Sequence, residues 1–143
     1  MRSLILTSFA NNEAQQANNT RSIFSRTTEP VILQRIESAG IAVFSLYLYQ
    51  YFDANWGLFL LLILLPDLSI LGYVYSKQLG AALYNVFHTY AAPLLVGGVM
   101  ISLSLPFTLE IFLIWTAHIA IDRCMGYGLK FPTHFKHTHL SWK

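Results

Sequence analysis

Charged residues are scarce in this sequence. Only 11% of its 143 residues are Asp, Glu, Lys or Arg, whereas 55% are hydrophobic; an ordinary soluble domain carries roughly 25% charged residues. This composition excludes a typical water-soluble globule. The small formal net charge of +2, with no basic run interleaved with aromatic residues, also argues against nucleic acid as a partner.

Cysteine is almost absent as well, since Cys124 is the only one in the chain. A single thiol cannot form a disulfide within the chain. It also cannot form the cysteine clusters of structural zinc proteins. A metal site built on such a cluster is therefore excluded.

Long apolar runs fill most of the chain. Each of the four runs approaches the roughly 20 residues that a helix needs to cross the hydrocarbon core of a bilayer. They cover residues 31–52, 56–75, 79–103 and 107–123. The sequence therefore predicts an all-α fold, an integral membrane four-helix bundle with the lipid bilayer as its surroundings.

Lys and Arg are missing from two of the three connections between these runs. All nine lie before or at the start of the first run, between the second and third, or at and after the end of the fourth. Cytoplasmic segments of membrane proteins are enriched in Lys and Arg. We therefore expect the N- and C-termini to be both cytoplasmic.

Composition divides the chain into three segments. Residues 1–28 form a polar tail, rich in Asn and Gln, that should be disordered on its own. Residues 29–125 hold the transmembrane domain. Residues 126–143 are expected to lie along the cytoplasmic interface, where Lys130 and Lys136 would meet lipid phosphates. Three histidines of this last segment would either face head groups or form a metal-binding lid: His134, His137 and His139.

Six of the polar residues within the apolar runs are candidates for a common site: Glu37, Asp67, Asn85, His88, His118 and Asp122. With a rise of roughly 1.5 Å per residue, all of them fall in the cytoplasmic half of their helices. His118 and Asp122 are four residues apart, and Asn85 and His88 are three apart, so each pair projects from one side of its helix. We therefore expect the six side chains to meet in one pocket near the inner leaflet.

The residues leave three interpretations of this pocket open. An ionised aspartate at mid-membrane depth costs roughly 2.5–3.5 kcal/mol unless it is paired or hydrated. In the first interpretation, Arg35 and Arg123 pair with Glu37 and Asp122, and the other polar groups hydrogen-bond helix to helix. In the second, the carboxylates and histidines form a proton or ion relay, or a small-ligand pocket.

The third interpretation is a divalent metal site. Its ligands would be Asp67, His88, His118 and Asp122. Mixed imidazole and carboxylate ligands suit zinc, iron or manganese, and bundle helices can present such ligands inward. The associated reaction would be hydrolysis of a lipid-soluble or headgroup substrate, with Glu37 or Asp122 as the catalytic base. Two further residues would contact the ligands without binding the metal themselves: Asn85 and Arg123.

Three short motifs, one in each of the last three apolar runs, resemble the pattern of a known family. They read PDLS, YN-x-x-HT and HI-x-x-DR, and FKHTHL follows near the C-terminus. Over about residues 33–140 the chain resembles a bacterial family of small membrane proteins known as domain of unknown function four-two-six-zero. The resemblance implies a compact domain of the bacterial inner membrane, with no established activity. The polar positions that it implies are Glu37, Asp67, Asn85, His88, His118, Asp122 and Arg123.

A different functional class is also open, a non-catalytic accessory subunit of a larger membrane complex. Residues 1–28 lie outside the family pattern and have no apolar face of their own to bury, so a partner would be needed to order them. In this interpretation the polar pocket only holds the helices together. The sequence leaves open whether the protein is an enzyme.

Overall fold

Residues 15–16, 30–133 and 138–140 are described in the computed structural model of the chain. Between residues 30 and 133 the fold consists of five α-helices and one 3-10 helix, without a β-strand, which confirms the all-α prediction. The α-helices are α1 (Pro30–Tyr51), α2 (Trp56–Leu62), α3 (Lys77–Phe87), α4 (Ala91–Ser102) and α5 (Thr108–Met125), and the 3-10 helix is Pro66–Val74.

The chain divides into a unit of residues 1–33 and a compact unit of residues 34–143, and the contacts below lie within the second. Apart from residues 15–16, the predicted polar tail of residues 1–28 lies outside the described residues. The same holds for residues 134–137 and 141–143 of the predicted interfacial segment, which include His134, Lys136 and His137.

Within the described residues, two segments are long and apolar enough to cross a membrane, Pro30–Tyr51 and Trp56–Val74. Helices α3 and α4 qualify together as a third span, with a bend of 56° between them. Helix α5 is not among these segments, and it carries three charged residues, Glu110, Asp122 and Arg123. Length and composition therefore support two or three spans, and the fourth span and the side of the termini stay predictions.

The second apolar run is not the single α-helix that the sequence predicted. Helix α2 ends at Leu62, and the 3-10 helix begins at Pro66. Inside a continuous α-helix, proline would remove a hydrogen bond and clash with a carbonyl of the preceding turn. At the start of a helix its missing N–H costs nothing. Pro66 therefore starts a new element and places Asp67 in the first turn of that element.

The third apolar run is broken as well. Helix α3 ends at Phe87, His88 is its C-cap residue, and α4 begins at Ala91. Pro93 falls in the first turn of α4, where no N–H donor is required. Backbone that leaves helical geometry at membrane depth is tolerated where it is buried in protein or lines a cavity. The break therefore sets His88 at a helix end inside the protein.

Helix α3 packs closely on the 3-10 helix through two glycines. A Cβ atom added to Gly72 would lie 3.1 Å from the Cα atom of Gly80, and one added to Gly80 would collide with the ring of Tyr73. Small residues at a helix contact let two backbones approach closely. This contact holds the elements that carry Asp67 and His88 side by side.

Helix α5 packs against α2 and α4 and supplies much of the core. Its Leu113, Ile114 and Ala117 are buried in one cluster with Tyr49 of α1 and Phe59 of α2. Many large apolar side chains elsewhere on the helices are exposed. This is the distribution expected of helices that face lipid rather than water.

Candidate metal centre

Four histidine and aspartate side chains converge where α3, α5 and the 3-10 helix meet. They are Asp67, His88, His118 and Asp122, and each offers one ligand atom such that all four atoms lie within 4.8 Å of one another. Both histidines are buried, with only 3% of His88 and 5% of His118 exposed. The convergence predicted from the sequence is confirmed for these four residues.

The ring nitrogen Nε2 of His88 contacts the other three side chains. It lies 3.3 Å from Asp67 Oδ1, 3.5 Å from Asp122 Oδ2 and 3.2 Å from His118 Nε2. His118 Nε2 lies 3.6 Å from Asp67 Oδ1. Ligand atoms placed roughly 2.0–2.1 Å from a tetrahedral zinc ion are separated by roughly 3.3 Å. These four of the six separations are therefore close to the edge length of a tetrahedral site, and all six lie within 4.8 Å.

A backbone hydrogen bond sets the tautomer of His88. Its Nδ1 lies 2.9 Å from the carbonyl oxygen of Tyr84. A carbonyl oxygen can only accept, so Nδ1 carries the proton and the neutral ring presents a lone pair at Nε2. That lone pair faces two carboxylate oxygens and a second imidazole nitrogen. Acceptor atoms crowded in this way repel one another unless a proton or a cation lies among them.

Tyr84 on α3 and Arg123 on α5 form hydrogen bonds to members of this group of four residues. The Tyr84 hydroxyl donates to Asp122 Oδ2 at 3.0 Å, and its ring stacks on His88 with the centroids 3.7 Å apart. Arg123 donates through Nη2 to the carbonyl oxygen of His88 at 3.2 Å. Arg123, predicted as a supporting residue, thus contacts His88, one of the predicted ligands. Tyr84 was missed, and the available signal was its position one helical turn before His88.

Asn85, the other predicted supporting residue, holds the C-terminal segment instead. Its Oδ1 accepts from the Lys130 amide at 2.6 Å, and its Nδ2 donates to the Lys130 carbonyl oxygen at 2.9 Å. These two bonds draw Lys130 onto α3. Lys130 is therefore buried, with 9% of its surface exposed and its Nζ 4.2 Å from the centroid of the Tyr84 ring. The prediction that it faces lipid phosphates at an open interface does not match this position.

Burial also changes the acid–base properties of Lys130. It lowers the pKa of the Lys130 ammonium, while the nearby Asp122 and Asp67 carboxylates oppose that shift. The lysine is therefore electrostatically linked to the group of four side chains. The sequence offered no sign of this link, because 45 residues separate Asn85 from Lys130.

Glu37, predicted as a catalytic base, does not join the group. Its side chain is exposed on α1. The residues that α1 buries form a stripe at helical spacing: Ser38, Ala42, Ser45 and Tyr49. Glu37 lies beside this stripe and not on it, so the packing of α1 turns it outward. Of the two predicted catalytic bases, the structure places Asp122 alone in the group.

The arginines also differ from the first interpretation of the pocket. Arg35 donates through Nε to the carbonyl oxygen of Cys124 at 2.8 Å, and Arg123 donates to the carbonyl oxygen of His88. In the described ranges, neither arginine forms an ion pair with a carboxylate. The proposed pairs with Glu37 and Asp122 are therefore not formed there.

A cavity of about 680 Å³ adjoins the group. Asp67, His118 and Asp122 line it, together with Tyr84 and Lys130. Its apolar walls come mainly from the following side chains: Ile63, Leu64, Ile70, Ile121 and Met125. Its volume lies within the roughly 300–1,000 Å³ of small-molecule sites. The polar group is thus reachable from a space with apolar walls.

A protein-family model matches most of the chain. The family is described as domain of unknown function 4260 (DUF4260), and the match covers residues 31–142. No curated protein and no solved structure matches the chain.

Proposed function

Because the chain belongs to the DUF4260 family, a domain of unknown function, we propose a function from the geometry of the site. The protein is an integral membrane metalloprotein. It binds one divalent cation through four side chains: Asp67, His88, His118 and Asp122. The reaction class that we propose for this centre is hydrolysis of an amphiphilic substrate that enters the adjoining cavity.

One observation carries the metal proposal. Four candidate ligand atoms from three helical elements lie within 4.8 Å of one another, and the hydrogen bond from His88 to Tyr84 leaves His88 Nε2 unprotonated in the neutral ring. Four such atoms repel one another unless a proton or a cation lies among them, and we propose that a metal cation does. No arginine in the described ranges supplies that charge to the aspartates.

The ligand set favours a borderline transition metal. Two imidazoles and two carboxylates suit zinc, iron(II) or manganese, and the absence of thiolates argues against softer ions. A divalent cation also balances the two negative charges of Asp67 and Asp122. Compensation of this kind matters in a site with buried ligands, because uncompensated carboxylates at membrane depth are costly.

The proposed hydrolysis rests on the surroundings of the group. A divalent ion held by four side chains would need to take a fifth ligand, and in that state it would polarise a carbonyl or phosphoryl oxygen or make a water more acidic. Asp122 is the base that we propose to accept the proton, and the Tyr84 hydroxyl orients its carboxylate. The cavity walls hold the apolar part of the substrate beside these groups.

Metal analysis tests the proposal directly. We expect purified wild-type protein to contain close to one equivalent of zinc, iron or manganese. The variants His88→Ala and His118→Ala should lose the metal and keep their helical circular dichroism. Glu37→Gln is the matched control, since Glu37 lies outside the group, and it should retain the metal. A wild-type protein that neither contains nor takes up any of the three metals would overturn the proposal.

We propose a membrane topology with four crossings, α5 being the fourth, and with both termini on the cytoplasmic side of the bacterial inner membrane. The support is the distribution of Lys and Arg along the sequence. Single cysteines placed at Lys77 and at Ser104 in a Cys124→Ser background test it. The first should react with a membrane-impermeant thiol reagent only after the inner membrane is opened, and the second before.

The alternative proposal is an accessory subunit of a larger membrane complex. It rests on the composition of residues 1–28. Size analysis after extraction in a mild detergent separates the two proposals. A particle much larger than 16.2 kDa plus detergent, lost on deletion of residues 1–28, would support the subunit. A lone metal-loaded particle that is indifferent to the deletion would support the metalloprotein.

A further inference from the structure

The cavity beside the group of four side chains contains a buried cation of its own. Lys130 lines the cavity and is 9% exposed, with its Nζ 4.2 Å from the Tyr84 ring and 5.7 Å from the Tyr73 ring. The backbone of Lys130 is held by both of its hydrogen bonds to Asn85. The lysine is therefore positioned by the fold and is not a mobile surface side chain.

Metal binding would reverse the charge of this end of the cavity. With neutral histidines, the carboxylates of Asp67 and Asp122 and the ammonium of Lys130 carry a formal charge of −1. A divalent cation changes that charge to +1. An anionic group is repelled in the first state and attracted in the second, and the low dielectric of the interior strengthens both effects.

The rest of the cavity suits a hydrocarbon chain. Ile63, Leu64 and Ile70 line it, and so do Ile121 and Met125 of α5. Leu64 is 65% exposed and Met125 is 56% exposed, so the apolar wall continues onto the outer surface of the protein. A ligand whose tail lies in the bilayer could enter along this wall without exposing its chain to water.

We infer that the cavity binds an anionic amphiphile, with its carboxylate or phosphate head between Lys130 and the metal and its alkyl chain along the apolar wall. This inference rests on the proposed function and names the substrate class of that site. Lys130 is the residue that distinguishes an anionic head from a neutral one. A carboxylate and a phosphate monoester share the chemistry that this arrangement recognises.

Binding of fluorescent amphiphiles to zinc-loaded full-length protein in a neutral detergent tests the inference. The probes are a dansyl-labelled fatty acid, the alkyl phosphate of the same chain length, and the neutral amide of the same fatty acid. We expect at least one anionic probe to bind about tenfold more tightly than the amide, as a charged hydrogen bond implies. The difference between the two anions identifies the preferred head group.

Three variants assign this preference to the lysine. Lys130→Met keeps an apolar stem and should bind the anionic probes no better than the amide. Lys130→Arg keeps the charge and should retain most of the preference. Lys77→Met removes an exposed lysine at the start of α3 and should behave like the wild type. Equal binding of anions and amide by the wild type, or an unchanged preference in Lys130→Met, would overturn the inference.

Zinc content measured on the same samples separates the two proposals. If the protein binds zinc but shows no preference for anions, the anionic substrate class is refuted and the metal centre is not. A protein that takes up no zinc defeats the metal centre. If a protein without zinc still binds the anionic probes more tightly than the amide, the charge reversal on which this inference depends is refuted as well. Chelation of the metal should weaken anion binding in the wild type, and anion binding that chelation strengthens would contradict the inference.

Discussion

The Nε2 atoms of His88 and His118 lie 3.2 Å apart, although 30 positions separate the two residues in the chain. The Nδ1 proton of His88, held by the Tyr84 carbonyl oxygen, prevents the neutral His88 ring from donating in this contact. His118 must therefore bring a proton to it, or both nitrogens must face a shared cation. The neighbouring oxygens of Asp67 and Asp122 favour the cation.

Removal of the Tyr84 hydroxyl should weaken metal binding without unfolding the protein. In Tyr84→Phe the ring still stacks on His88, but the 3.0 Å bond to Asp122 Oδ2 is lost. Groups that orient a metal ligand typically contribute 10–100-fold to affinity. We expect a loss of about tenfold or more in zinc affinity, measured by competition with a chromophoric chelator.

Tyr49→Phe is the control for this prediction. Its hydroxyl donates to the Asn55 carbonyl oxygen at 2.6 Å, in the core cluster and not at the metal centre. It should lower stability by about 1 kcal/mol and leave the zinc affinity unchanged. Equal zinc affinities for Tyr84→Phe and the wild type would show that Asp122 needs no such orientation.

Replacement of Gly80 by alanine should disturb both the fold and the metal centre. The added Cβ would collide with the ring of Tyr73 and push α3 away from the 3-10 helix. Overpacking of this kind costs about 1–3 kcal/mol. Because the same contact sets His88 beside Asp67, we expect a lower unfolding temperature in detergent together with weaker zinc binding.

Gly98→Ala provides the matched comparison within α4. In the described part of the chain, a Cβ atom at Gly98 would meet nothing within 4 Å. Alanine is favoured over glycine in a helix by up to about 1 kcal/mol. This variant should unfold at the same temperature as the wild type or slightly higher, with its metal site intact. A similar loss in both glycine variants would refute the role of the close contact.

Asn85→Ala should release the C-terminal segment. The variant leaves the Lys130 amide and carbonyl groups without their partners on α3, at a cost of about 1–3 kcal/mol. Hydrogen exchange of the segment around residues 129–131 should speed up, as followed by mass spectrometry. Gln78→Ala, at an exposed site of the same helix, should leave the exchange unchanged.

The metal content of Asn85→Ala discriminates between two roles of this residue. In the structure Asn85 bonds to the backbone of Lys130, so zinc should remain bound. Loss of zinc with unchanged exchange at residues 129–131 would instead support the role predicted from the sequence, in which Asn85 supports the ligands.

Acidification should loosen the same segment at a second point. His139 accepts a hydrogen bond from the Leu129 amide through Nδ1 at 2.8 Å, which requires that nitrogen to be unprotonated. Burial, and then the positive charge of Arg123, lower the pKa of His139 below the ordinary 6.5. The unfolded segment therefore binds the proton more readily than the folded one.

The stabilisation from His139 is therefore fully present above the unfolded pKa of 6.5. It is lost as the pH falls through the lower, folded pKa. Hydrogen exchange of the Leu129 amide, corrected for the intrinsic effect of pH, should accelerate as the pH falls from about 7.5 to about 5. His139→Gln retains an acceptor that does not titrate, and it should remove this acceleration. An acceleration of the same size in the variant would assign the effect to other groups.

The depth of each polar residue in its apolar run was the most informative property of the sequence. Asp67, His88, His118 and Asp122 were all expected in the cytoplasmic half of their helices, and they do meet. Polar groups are costly in an apolar environment, so a few of them at matching depth indicate a shared site. Glu37 shows the limit of this reasoning, because depth does not specify which way a helix is rotated.

The break between α3 and α4 explains a second difference. Asn85 and His88 are three residues apart and were expected to point into one pocket. Helix α3 ends at Phe87, however, so His88 sits at a helix end and contacts Asp67, while Asn85 contacts Lys130. Pro93, in the first turn of α4, was visible in the sequence as a sign of a nearby break, but the effect of that break on side-chain direction was not.

Apolar content, charge distribution and the order of the motifs determined, without any coordinates, that this is an all-α member of its family with helices suited to a membrane. These are properties of composition and local order, and they do not depend on how the helices face one another. Tertiary structure alone decided that Glu37 faces outward, that Tyr84 contacts Asp122, and that Lys130 is buried beside the site. Such contacts depend on helix rotation and on chain segments tens of residues apart, and only the packing of the whole domain sets them.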